Sequence, residues 1–184
     1  MSAEAAGRTR VEDAFLGYLR GLERDPAAMA ALRRSVDGSA AALAQAHRYV
    51  VPFLPKESAP WREAPMYLVA ALFAGHPAVG AGRDETLGAA FRKMALGPDG
   101  KPLESVERRF VALLAVDVAD IGYPLRQAIS LLKAREVPVC WERLLRDLLS
   151  WGHPDGWVQK RWARDFWGDR TPSKENNEGE HHVS

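Results

Sequence analysis

Trp141-Glu142-Arg143-Leu144-Leu145-Arg146-Asp147-Leu148-Leu149 decides the fold. Its apolar residues recur three and four positions apart with charges between them, the pattern of an amphipathic helix. The same texture recurs in Ser105-Val106-Glu107-Arg108-Arg109-Phe110 and in Leu125-Arg126-Gln127-Ala128-Ile129. It closes with Val158-Gln159-Lys160-Arg161-Trp162-Ala163-Arg164-Asp165-Phe166-Trp167. A helical scaffold whose working parts are positive charges suits holding a polyanion better than reacting with a substrate.

Outward from these runs, helical periodicity covers nearly the whole chain. Phe15, Leu19 and Leu22 form a stripe, so residues 10–24 read as a first helix. Pro26 suits the start of a second, running through Met29 and Leu32 to Val36, where Asp37-Gly38 breaks it. A third covers about 39–50 and a fourth about 62–75, with Pro65 expected in its first turn, where a missing N–H costs little. Further helices are expected at about 86–95, 104–116, 122–135, 140–151 and 155–167. Strand signals are nearly absent, since Val137-Pro138-Val139 is short and broken by proline. The expected fold is all-α: two small helical bundles, N-terminal (1–80) and C-terminal (104–168), joined through a Gly/Pro-rich region (81–103). Pro98-Asp99-Gly100-Lys101-Pro102 is a strong turn signal there, and the polar tail 169–184 reads as disordered.

The 184 residues suffice for a buried core, and 47% hydrophobic with 27% charged residues is ordinary for a soluble globular protein. The net charge is +1; without the acidic tail, 23 basic and 20 acidic residues leave the body at +3. Cys140 is the only cysteine, which excludes an intramolecular disulfide and a multi-cysteine zinc site. It fits a reducing cytoplasm, the expected location. No apolar signal segment opens the chain, and Met66 to Ala74 is about half of the roughly 20 residues a membrane span needs. No membrane partner is expected.

Helix geometry sorts the charges onto faces. Arg108 lies opposite the buried side formed by Val106, Phe110, Leu113 and Leu114, and Arg109 sits on its flank. Arg126 and Lys133 project two turns apart, about 10 Å, from one side of their helix. That spacing matches phosphates one or two steps apart along a strand. Neither residue has an acid four positions away, which makes this pair the first candidate for a nucleic-acid backbone contact. Arg33-Arg34 forms a second site, and Arg62, after Trp61, works against its helix dipole in a way an outside anion would relieve. Lys160, Arg161 and Arg164, interleaved with Trp157, Trp162 and Trp167, form a third cluster. Against function stand the i,i+4 pairings Glu142–Arg146, Arg143–Asp147 and Arg161–Asp165, each worth about 0.3 kcal/mol to a helix. Trp141, Trp151 and Trp162 lie on apolar stripes and read as core.

Catalytic readings find little support. His47, His76 and His153 are scattered, and no H-x-x-x-H pair, G-x-S-x-G elbow or phosphate-binding loop is present. Asp117 and Asp120 read as local capping of the turn before Gly122, and Cys140 as a buried small residue. No enzyme activity, cofactor or metal is expected.

The ordered set from Ser105–Phe110 through Leu125-Arg126-Gln127 and Val137-Pro138-Val139-Cys140-Trp141 to Leu148-Leu149-Ser150-Trp151 resembles the CasB family. Those proteins are the small subunits of type I-E Cascade, the CRISPR surveillance complex. Ala31-Leu32-Arg33-Arg34-Ser35 and Leu68-Val69-Ala70-Ala71-Leu72-Phe73 match in the same order, so the likeness spans about residues 12–167. The resemblance implies two helical bundles and a non-catalytic subunit present twice, head to tail, beside the other Cascade subunits. It further implies contact with the guide RNA and with the displaced DNA strand, without sequence readout. The positions that carry over are Arg33, Arg34, Arg62, Arg108, Arg109, Arg126 and Lys133. Two departures stand out. Val118 follows Asp117 where relatives often have arginine, removing one expected phosphate contact, and Cys140 replaces a helix-capping aspartate before Trp141. A purely structural adaptor whose arginines meet acidic protein partners is the alternative, favoured somewhat by the near-neutral charge.

Overall fold

The computed structural model describes residues 10–77, 81–82, 84–95 and 103–168. The turn at 98–102 and the tail 169–184 lie outside them. Among the described residues there are nine α-helices and no strand: α1 Val11–Gly21, α2 Pro26–Arg34, α3 Ala40–Val50, α4 Pro60–Gly75, α5 Leu87–Ala95, α6 Glu104–Leu114, α7 Gly122–Ala134, α8 Trp141–Leu149 and α9 Trp157–Trp167. The all-α expectation holds, and none of these helices is long and apolar enough to cross a membrane.

Local chemistry explains the boundaries. Asp25 caps α2, its Oδ1 accepting the N–H groups of Ala27 and Ala28 at 3.0 Å each, while Pro26 supplies a preset φ at the first helical position. After α2 the chain tightens into a 3-10 turn and stops at Gly38, whose φ of 72° favours a residue without Cβ. Helix α4 begins two residues earlier than expected because Pro60 takes the first position, which leaves Pro65 inside the helix rather than in its first turn. Thr86 caps α5 through Oγ1, 3.2 Å from the N–H of Ala89. Cys140 precedes α8 and gives no side-chain cap, as its chemistry foretells; it is half-buried, not fully buried as the sequence suggested.

Helix α4 is the axis of the molecule. It packs on α2 and α3 on one side and on α7 and α8 on the other. Its run Val69-Ala70-Ala71-Leu72-Phe73-Ala74 is therefore buried all round. The Phe73 ring meets Trp141 edge-on at 5.9 Å. Each such side chain contributes roughly 1.5–3 kcal/mol by leaving water. Helix α1 rests on α8, and α5 lies against α9. Gly88 makes that last approach possible, since a Cβ there would overlap the backbone of Trp162. One continuous apolar cluster runs from Phe15 on α1 to Phe166 on α9.

Candidate nucleic-acid interface

The sequence-derived cations sit on helix faces that the core leaves outward. Arg33 and Arg34 end α2 and are exposed. The Arg33 Nε donates to the carbonyl of Met29 at 3.3 Å, and Arg34 donates to Gln45 Oε1 on α3 at 3.0 Å. Arg62 is half-buried in the first turn of α4. Arg108 and Arg109 are exposed on α6; Arg108 pairs with Glu104 at 2.7 Å, both ends open to solvent.

Arg126 and Lys133 remain two turns apart on α7, but their heads are employed differently. The Arg126 guanidinium lies 5.6 Å from the ring centre of Tyr123. It also stands close enough to Asp37 to help hold that carboxyl below its usual range, after the larger effects of the Ser39 backbone and side-chain hydrogen bonds. Lys133 reaches the end of α4 and donates from Nζ to the carbonyl of Gly75 at 2.7 Å. A cation at a helix C-terminus satisfies an orphan carbonyl and suits the dipole.

On α9, Lys160 and Arg164 share a face and are exposed, while Arg161 is half-buried with its guanidinium 4.9 Å over the Trp157 ring. The expected Arg161–Asp165 pair does not form, because Asp165 accepts the Thr86 hydroxyl at 2.6 Å. Nor does Glu142–Arg146. Glu142 is half-buried and pairs with Arg20 of α1, and Arg146 reaches Asp84 at 2.6 Å and Asp13 at 3.3 Å. Packing α1 on α8 brings these tertiary partners nearer than the neighbours one turn away. Arg143–Asp147 forms as expected, at 2.9 Å. Asp117 and Asp120 are both exposed, and the backbone closes their turn, Asp120 N–H to the Asp117 carbonyl at 3.0 Å.

The cations do not gather at one point: Arg34 is tied to α3 through Gln45, Arg126 stands near Asp37, and Lys133 is tied to the end of α4. Helices α6 and α9, which carry Arg108, Arg109, Lys160 and Arg164, are joined by the Trp167 indole N–H donating to Glu107 at 2.7 Å and by Phe110 stacked on Phe166 at 4.4 Å. Trp141, Trp151 and Trp162 are core, no more than 2% exposed. Trp61 and Tyr123, to which the sequence reading gave no role of their own, are 57% and 64% exposed, each as the second residue of its helix.

The Cse2 family, described as CRISPR-associated protein Cse2, matches residues 28–167. This chain belongs to the Cse2 (CasB) family. A Cse2 protein of Thermus thermophilus is 40% identical over 167 residues, covering 88% of this chain and 90% of that one. The crystal structure of CasB from M. ruber superposes with a TM-score of 0.73 at 32% identity, covering 88% and 94% of the two chains. A chain of a CRISPR RNA-guided surveillance complex superposes at 0.68 with 29% identity, covering 85% and 90%. The Cse2 match takes in the helices that carry Arg33 through Arg164.

Proposed function

We propose that this Cse2-family chain is a non-catalytic subunit of a Cascade surveillance complex that grips single-stranded nucleic acid by its backbone. It would contact the guide RNA and hold the displaced DNA strand, working in the cytoplasm beside the other Cascade subunits and a second, head-to-tail copy of itself. Opening a duplex against a guide is a near-balanced exchange, so backbone contacts to the freed strand tip it toward the open state. Such contacts position the strand without reading bases.

One observation carries this reading. Internal ion pairs among the described residues occupy Arg20, Lys93, Arg108, Arg143 and Arg146. Arg33, Arg34, Arg62, Arg109, Arg126, Lys160, Arg161 and Arg164 form no ion pair with a described carboxylate. A phosphate backbone supplies the missing anions.

The test is anisotropy of a labelled single-stranded DNA titrated with the full chain across a salt series. Each phosphate neutralised adds about −0.7 to the slope of log affinity against log salt. A slope worth several phosphates, reduced by Arg126→Glu with an unchanged circular dichroism spectrum, is expected. Lys133→Ala separates binding from stability: losing its bond to Gly75 costs about 1 kcal/mol and leaves most of the salt slope in place. Binding no stronger than that of an unrelated protein of equal charge would favour the adaptor with acidic protein partners.

A further inference from the structure

Two hollows adjoin between the N- and C-terminal helices. The larger, about 460 Å³, is predominantly apolar, with Val36, Pro65, Leu68 and Val118 among its walls. The second, about 400 Å³, shares Val118 and Leu148 with it and is bounded by Trp61. Trp61 is 57% exposed, and Pro60 and Ala64 on the larger hollow are also open to solvent, so the apolar trough faces outward at the start of α4. Exposed apolar surface of this kind marks a place that a partner covers.

The trough is one-sided in charge. Among the described residues no lysine or arginine lines either hollow, and Glu63 is the one wall residue that carries a full charge at neutral pH. No described cation forms an ion pair with Glu63. Its neighbour on the wall, Tyr67, is hydrogen-bonded through its hydroxyl to His47 Nδ1 at 2.6 Å and so leaves the carboxylate unengaged. The two stand close, since the Glu63 charge adds to burial in raising the Tyr67 phenol above its usual range. A first-turn carboxylate suits the dipole of α4, but that effect comes from the backbone and leaves the carboxylate oxygens available.

These features select the occupant. A carboxylate without a cation repels phosphates, and apolar walls offer a phosphate backbone nothing to pair with. A protein segment carrying a large apolar side chain next to a lysine or arginine fits both parts: the apolar group fills the hollow and the cation reaches Glu63. Tryptophan at the edge of such a hollow is the residue type that most often anchors protein interfaces. We propose that the trough docks a basic segment with an apolar anchor from another Cascade subunit, with Glu63 as the charge partner and Trp61 as the aromatic rim. This rests on the reading of the chain as a Cascade subunit and is independent of strand holding.

The experiment adds the labelled full chain to an assembly of the other Cascade subunits on a guide RNA and reads the affinity of its entry. It compares wild type with Glu63→Lys, Glu63→Asp, Ala64→Trp and Trp61→Ala, all at positions that keep solvent contact, with folding checked by circular dichroism. Glu63→Lys and Ala64→Trp should weaken entry by about tenfold or more, Trp61→Ala by about tenfold, and Glu63→Asp should keep most of the affinity. Single-strand binding by isolated Ala64→Trp and Trp61→Ala should match wild type. Wild-type entry by Glu63→Lys would exclude the basic partner, and wild-type entry by Ala64→Trp would exclude docking in the trough; either overturns the proposal. Failure of the wild-type chain to enter would overturn the Cascade reading with it. Normal entry of Ala64→Trp with weakened single-strand binding would assign the trough to nucleic acid, and loss of self-association alone would assign it to a second copy. Both outcomes also overturn the proposal.

Discussion

The carboxylate of Asp147 accepts the indole N–H of Trp162 at 2.6 Å, joining α8 to α9 in the interior, where the two residues are 1% and 0% exposed. Arg143 donates to the other oxygen at 2.9 Å, so both oxygens are satisfied. Burial nonetheless pushes the Asp147 carboxyl above its usual range, against the pull of Trp162 and Arg143.

Removing that carboxylate leaves an indole N–H and a largely buried guanidinium without their acceptor. Asp147→Ala should lose about 3 kcal/mol in a denaturant titration. The raised pKa also fixes a sign. Between the ordinary value of 3.8 and the higher folded value, the native state keeps a proton that the unfolded state releases. Stability from this group therefore falls as pH rises through that window. Asp147→Asn, which cannot ionise, should flatten that part of the curve.

Glu142 behaves in the opposite sense. Burial raises its pKa, but the hydrogen bond from Arg20, its own backbone N–H and the nearby cations outweigh that, and the net shift is downward from 4.5. The stabilisation is present above the ordinary value and lost as pH falls through the lowered one. Both side chains retain solvent contact, so Glu142→Gln should cost no more than about 1 kcal/mol at neutral pH. The difference from wild type should close in acid, as followed by thermal melts at several pH values. Single-strand binding should be unaffected.

Two glycines give a paired test of packing. Gly17 on α1 has open space where a Cβ would stand, so Gly17→Ala should stabilise by up to about 1 kcal/mol through helix propensity. Gly88→Ala gains the same propensity but drives a methyl into the Trp162 backbone, which cannot yield as a side chain could. Overpacking of this kind costs about 1–3 kcal/mol, and the backbone clash puts Gly88 at the upper end, for a net loss. A Gly88→Ala protein as stable as wild type would mean that α5 and α9 stand further apart.

Most of the fold was legible because its signals are local. Pro26 starts α2, Asp37-Gly38 ends it, and the Trp141–Leu149 stripe marks a buried face without reference to any other segment. Pro65 misled by two residues only, because Pro60 offered an equally good start. The candidate site was less legible. Arg126 was singled out from the absence of an acid one turn away, a local property. That Lys133 is tied to Gly75, or that Arg146 answers to Asp13 and Asp84, depends on how helices cross, which no spacing encodes. The exposure of Trp61 and Tyr123 was not read, because an aromatic residue beside an apolar stripe ordinarily joins the core.

The contact of Gly88 with Trp162, and the bond between Thr86 and Asp165 across 79 residues, set an order of assembly. During synthesis α5 leaves the ribosome long before α9 exists, so the part of its apolar face that α9 covers waits exposed even after α6 and α7 have packed on the rest. A nascent chain stalled before Trp157 would present that face to chaperones, and only the arrival of the last helix withdraws it.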